Sequence, residues 1–279
     1  MNVNFINEHA CDSLVKERAA LADQISRPAS AGLGLSGARV VVAGAGGLGH
    51  QIASAFAGQD AQVAVIDANA GRAKDVVAGL PAAATGDHLA IAADLTSPGM
   101  CGDAVAAAVK GLGGMDAAVH AVGINNRRPV LEVDDWDEIL SVNAGSAFYF
   151  GQAVGTYLTG QGHGSLIYLS SVAGLLGHPH HAPYAASKGA INQMMRVMAA
   201  EWASSGVTVN AVAPGYIETP LTRDYLARDG NRARLEGLVP ARRLGSAEEA
   251  SGPVLFLASR LARFVTGHVL YADGGRTLI

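Results

Sequence analysis

From Arg39 onward, short unbroken apolar runs alternate with longer segments of helical period. The runs are Val40–Ala43, Val63–Ile66, Leu89–Ala92, Ala117–Ala121, Leu166–Leu169, Val207–Ala213 and Val269–Ala272. Each is rich in Val, Ile, Leu or Ala and continuous rather than alternating, as expected of a parallel strand covered on both faces. Helical patterns begin near Leu48, Ala70, Asp103, Asp135, Ala182 and Ala247. This repeated order predicts an α/β fold, a Rossmann-like doubly wound parallel sheet of about seven strands in a single domain over residues 38–279. Residues 1–37 read differently. A helical pattern runs from Asp12 to Gln24, and a Pro/Ala/Gly/Ser stretch from Arg27 to Gly37 reads as a linker or a draped arm.

Composition narrows the possible partners. Of 279 residues, 49% are hydrophobic and 16% charged, which predicts a compact core and excludes a disordered chain. The net charge is −4 and no run of Lys or Arg exceeds two, so neither nucleic acid nor an anionic membrane surface is an expected partner. No apolar stretch reaches the ~18 residues of a membrane span. The N-terminus carries Glu8, Asp12 and Glu17 and no apolar signal core, and Cys11 and Cys101 are far apart. A cytoplasmic protein with two reduced thiols is the expectation.

Candidate chemistry begins at Gly44-Ala-Gly46-Gly47-Leu48-Gly49, a G-x-G-x-x-G loop between a predicted strand and a predicted helix. Glycines there allow a tight turn and a close backbone approach to a pyrophosphate at a helix N-terminus, where amide donors favour anions. Asp67 closes the second strand. A carboxylate there can accept hydrogen bonds from ribose hydroxyls and repel a 2′-phosphate, or it can cap the next helix. No Arg adjoins it, which favours NAD over NADP, although Arg72 weakens that preference. Asp94-Leu95, just past the third strand, reads equally as an adenine contact or a turn.

Tyr184 and Lys188 stand at i, i+4 in a helical pattern and so share a face. A phenol titrates near ~10, too high for proton transfer at neutral pH, and a neighbouring ammonium is expected to lower it. Ser171, at the end of the fifth strand, lies where open α/β sheets bind ligands. Asn143 falls in the preceding helix, Pro214-Gly-Tyr216-Ile217-Glu-Thr219 follows the sixth strand, and Asp273-Gly-Gly275 closes the last. Ser171 as a turn residue, Asn143 as a helix-bending amide and Thr219 as a helix cap are the plain alternatives.

This ordered set resembles the short-chain dehydrogenase/reductase family in its single-domain form, over Ala38 to Arg276. The resemblance implies an NAD(P)-dependent enzyme acting on CH–OH groups, with Tyr184 as general acid/base and Lys188 lowering its pKa and holding the nicotinamide ribose. It implies that Ser171 bonds the substrate oxygen, that Asn143 anchors a proton-relaying water, and that Thr219 holds the carboxamide. It places Gly123, Pro214 and Ile217 beside the cofactor, requires no metal, and implies a homotetramer. In that tetramer the helices near Asp135 and Ala182, with Met194, Met195, Val197 and Met198, would lie at one interface. Three positions depart from the family pattern. Ala43 replaces a usual Thr, the glycine loop is one residue shorter, and His120-Ala-Val-Gly123 replaces Asn-Asn-Ala-Gly.

Within the family, Gly123-Ile-Asn-Asn-Arg127-Arg128-Pro129 and Pro240-Ala-Arg-Arg243-Leu-Gly look most like gluconate- and polyol-type dehydrogenases. Arg128, or Arg127 beside it, is the candidate for a substrate carboxylate; a surface pair is the alternative. His178 and His181, between Ser171 and Tyr184, and Tyr216 are candidate substrate contacts. The expected reaction moves a hydride between NAD(H) and the alcohol–ketone pair of a small polyhydroxylated substrate. The rival readings are a 3-oxoacyl-thioester reductase and a non-catalytic NAD-binding sensor.

Overall fold

A computed structural model describes residues 32–279, so the helical pattern of Asp12–Gln24 lies outside the described residues. The compact unit runs from Leu35 to Ile279. Seven parallel strands form one sheet in the order β3-β2-β1-β4-β5-β6-β7. They are β1 (Arg39–Ala43), β2 (Gln62–Asp67), β3 (Leu89–Ala92), β4 (Ala117–His120), β5 (Gly164–Leu169), β6 (Val207–Pro214) and β7 (Val269–Ala272). Each coincides with a predicted run to within two residues. Among the described residues the helices are α1 (Gly47–Ala57), α2 (Ala70–Ala78), α3 (Pro98–Leu112), α4 (Trp136–Leu140), α5 (Ser146–Gln161) and α6 (Ala182–Trp202). Helices α7 (Pro220–Leu226), α8 (Asn231–Gly237) and α9 (Ala247–Ala258) complete the set. Strand order reverses between β1 and β4, which opens a crevice at their carboxyl ends.

Alternation along each strand divides the core. Val41, Ala64, Ile66, Ala118, Leu166 and Tyr168 pack with Phe150, Val154, Met195 and Leu112 of α5, α6 and α3 in one continuous cluster. The opposite side is covered by α1 and α9, which pack on each other and bury Ile52, Phe56, Val254 and Leu257. The β1 start is tied down by Arg39, whose Nε and Nη2 donate to the Asp116 carboxylate at 2.9 and 2.8 Å.

Three local outcomes differ from the pattern reading. Strand β3 is an edge, half exposed on alternate residues, because only β2 borders it. Helix α3 starts at Pro98, five residues before the apolar period becomes visible, since a proline at the first helical turn lacks only an amide that would be unbonded there. Helices α7 and α8 are absent from the helical patterns read in the sequence, although the cap reading of Thr219 implied the first. Their signals are Thr219-Pro220 at one start and Gly230, in the left-handed region at φ 73°, at the other. Of the four apolar residues assigned to an interface, Met195 turns into the chain's own core and Met198 is buried, whereas Val197 is half exposed.

Candidate active site

The loop after β1 is shaped by what glycine lacks. Gly44 stands at φ +98°, and a Cβ there would meet the Ala121 carbonyl carbon at 2.9 Å, so the loops after β1 and β4 touch across the crevice. A Cβ on Gly49 would lie 1.8 Å from the Gly44 carbonyl oxygen. A Cβ on Gly46 would meet nothing within 4 Å. Gly44 and Gly49 are therefore required by the fold, and Gly46 faces open space. Gly46 also caps α1 with no side chain, Gly47 and Leu48 open the helix, and its first turn holds no acidic residue. Uncapped amides above an open floor fit a pyrophosphate.

Asp67, nearly buried, ends β2 beside this loop. Its Oδ2 accepts from the Ala45 amide and its Oδ1 from the Asn69 amide, both at 2.8 Å. The cap of α2 is Asn69, which accepts from the Arg72 amide at 3.0 Å, so the helix-cap reading of Asp67 falls away. Arg72 Nη1 approaches Asp67 Oδ2 to 3.6 Å. Asp94 takes the turn reading: its Oδ1 accepts from the Thr96 amide and hydroxyl at 2.9 and 2.8 Å, which lowers its pKa. Leu95 is buried in the main core.

Ser171, Tyr184 and Lys188 converge at the carboxyl edge of β5. Ser171 Oγ accepts from the Ala173 amide at 3.1 Å, which turns the chain and leaves the hydroxyl proton to be donated elsewhere. Lys188 is 4% exposed; its Nζ donates to the Leu169 carbonyl at 2.8 Å, and burial pulls its pKa down to about 8. Burial raises the Tyr184 phenol above its ordinary value, opposed by the Ser171 hydroxyl and the charge of Arg127. The Lys188 ammonium sits 5.6 Å from the Tyr184 ring centre and donates to Leu169.

Asn143 is fully buried in a π-helical turn, Ser141–Gly145, between α4 and α5. Its Oδ1 accepts from the Ile124 amide at 2.8 Å, and its Nδ2 donates to the Ile124 carbonyl at 3.0 Å and to Ser187 Oγ at 2.9 Å. The amide is thus a brace between the loop after β4 and α6. Gly123 lies over this brace, where a Cβ would stand 3.5 Å from both Asn143 Oδ1 and Lys188 Nζ. His120, unforeseen as a site residue, ends β4 fully buried; its Nε2 meets Ser146 Oγ at 2.9 Å, and burial with the Lys188 charge pushes its pKa down to about 3. The departure from Asn at this position was the available signal.

After β6, Pro214 ends the strand and Ile217 is buried, bridging to Gly245. Thr219 takes the helix-cap reading: its amide donates to Thr222 Oγ1 at 2.9 Å and its own hydroxyl lies 3.3 Å from that atom.

The rings of Tyr184, His181, His178 and Tyr216 follow one another edge to face, with centres 6.3, 5.9 and 6.0 Å apart. His181 Nδ1 meets the Pro179 carbonyl at 2.8 Å, while His178 Nε2 is buried with no partner. Burial keeps both imidazoles below their ordinary pKa, and the nearby Arg127 charge adds to this. Arg128 is corrected. Its guanidinium pairs with Asp134 at the surface, and its amide donates to the His180 carbonyl at 3.1 Å. Arg127 is the residue whose charge reaches Tyr184, His178 and His181, because neighbouring residues of an extended loop point to opposite sides.

A family profile described as Enoyl-(Acyl carrier protein) reductase matches residues 42–277. Gluconate 5-dehydrogenase of Gluconobacter oxydans is 36% identical over 247 residues, covering 88% of this chain and 96% of the relative. Galactitol 2-dehydrogenase (L-tagatose-forming) of Cereibacter sphaeroides is 36% identical over 249 residues, with 88% and 96% covered. The crystal structure of a candidate 2-deoxy-D-gluconate 3-dehydrogenase from Agrobacterium tumefaciens, with bound NADP, superposes with a TM-score of 0.80 at 30% identity, covering 90% of this chain and all of that one.

Proposed function

The chain belongs to the short-chain dehydrogenase/reductase family of oxidoreductases, and on that premise we propose that it interconverts a secondary alcohol and its ketone on a small, polyhydroxylated, sugar-acid- or polyol-like substrate. The observation that carries the reading is the polar shelf of His181, His178, Tyr216 and Arg127 adjoining Tyr184. An acyl chain would want apolar walls, whereas a site of buried donors and acceptors discriminates against substrates that leave them unpaired.

The glycine loop fits a dinucleotide, whose nicotinamide supplies the hydride chemistry when bound. In the alcohol-oxidising direction, Ser171 and Tyr184 hydrogen-bond the substrate oxygen, and Tyr184 takes its proton. Lys188, held to Leu169, keeps positive charge beneath the phenol and favours its ionised form. Asn143 holds the β4 loop and α6 at a fixed separation. Arg127 meets a carboxylate at the far end of the substrate. Asp67 supports NAD, because a 2′-phosphate beside a nearly buried carboxylate is repelled. Arg72 at 3.6 Å favours the second reading, NADP, which the Agrobacterium structure holds. The groove of Phe148, Met194, Val197 and Trp202 between α5 and α6, with Phe148 and Val197 exposed, supports a homotetramer.

The decisive assay is a panel of polyols, sugar acids and hydroxyacyl thioesters with both cofactors, on protein sized by light scattering. Turnover of sugar acids or polyols, with NAD at least about tenfold better in kcat/KM, is expected. Thioesters outperforming every sugar acid and polyol would replace the reading with a 3-oxoacyl-thioester reductase, and a monomer would remove the tetramer.

A further inference from the structure

Arg127 lies near enough for its charge to act on Tyr184, His178 and His181, and among the described residues it forms no ion pair. What holds it is a ring. Its Cζ lies 3.6 Å above the centre of Tyr225, on α7. A guanidinium stacked in this way keeps its N–H groups free along the edge of the plane, where a carboxylate is met by two of them. Stacking on an aromatic therefore orients an arginine without consuming its donors, as an acidic partner would.

Tyr225 is itself fixed from several sides. Its hydroxyl accepts from Arg234 and its carbonyl accepts from Asn231 Nδ2 at 2.9 Å. Its ring, with that of Tyr216, packs on the small cluster of Leu226, Leu235 and Leu244. That cluster is separate from the main core, so α7 and α8 form a cap with its own apolar centre. The Arg127–Tyr225 stack joins this cap to the loop after β4.

We propose that Tyr225 is a positioning residue that sets preference for acidic substrates, holding Arg127 with its donor edge toward the cleft so that carboxylate binding and seating of the cap reinforce each other. The proposal rests on the sugar-acid reading above. Tyr225 acts through Arg127 and not on the proton-transfer set, so its effect falls on KM for acids rather than on kcat or on neutral substrates.

The test is steady-state kinetics of the full chain with D-gluconate as acidic probe and galactitol as neutral probe, for Tyr225→Leu, Tyr225→Phe and Arg127→Ala, with thermal denaturation of each. Tyr225→Leu keeps apolar bulk and removes the π face. It is expected to raise KM for gluconate roughly five- to tenfold while kcat and galactitol kinetics stay within about twofold. Tyr225→Phe keeps the face and is expected to behave as the parent with both. Equal losses on both probes, or a Phe variant as impaired as Leu, would make Tyr225 a structural residue of the cap and overturn the proposal. A gluconate KM that responds to Arg127→Ala but not to Tyr225→Leu overturns the proposal alone. If neither probe is turned over, or Arg127→Ala affects both alike, the sugar-acid reading falls and takes the proposal with it.

Discussion

The two halves of the crevice are made in different ways. Around β1 and β2 the candidate site is backbone: Gly44, Gly46 and Gly49 contribute the absence of side chains, beside a helix start with no side-chain cap. Around β4, β5 and β6 it is side chains on loops and helices: Ser171, Tyr184, Lys188, His178 and Arg127. A backbone site fails when an atom is added, and a side-chain site fails when one is removed. Stability and chemistry should therefore separate by half.

The largest effect should come from removing one oxygen on the side-chain half. Tyr184→Phe is expected to lower turnover about 10²-fold or more, with melting temperature and dinucleotide affinity unchanged. Retained turnover would move the proton-transfer role to another group.

Adding one carbon to the backbone half should act on different observables at different glycines. Gly49→Ala drives a methyl against the Gly44 carbonyl and should cost about 1–3 kcal/mol, a fall of several degrees in melting temperature. Gly46→Ala meets open space, so its melting temperature should hold while cofactor affinity drops. If Gly46→Ala melts early or Gly49→Ala does not, the division of roles between the two glycines is reversed.

The smallest effect at neutral pH sits where the halves meet. His120 is neutral in the fold with a pKa near 3, well below the ~6.5 of an unfolded chain. Below about pH 6.5 the unfolded state takes up the proton and the folded state does not, so stability present above that pH is lost as pH falls toward 3. By pH 4.5 the linkage is about 2–3 kcal/mol. His120→Asn should flatten the dependence of melting temperature on pH between 6.5 and 4.5. An unchanged slope would assign the acid lability to other groups.

How legible the site was follows the same line. The glycine loop, the Asp67 position and the Tyr184–Lys188 spacing are local patterns. Each depends on a strand end or one helical turn, and a run of buried Val, Ile and Ala marks the strand without reference to the rest of the chain. Arg127 and Arg128 are chemically identical neighbours, and nothing local distinguishes the one that stacks on Tyr225 from the one that pairs with Asp134. The cap helices α7 and α8 are short and carry a cluster of only three buried leucines, too little periodicity to be seen.

The sequence by itself determined the order of strands and helices along the chain and marked the glycine loop and the Tyr184–Lys188 pair, because these follow from periodicity and spacing within a few residues. Only the tertiary structure decided how those groups are charged and aimed. Burial raised the Tyr184 phenol, lowered Lys188 and kept His120 neutral, and a ring almost a hundred residues away took hold of Arg127. Desolvation and long-range contacts belong to the packed chain, and no short window of sequence contains them.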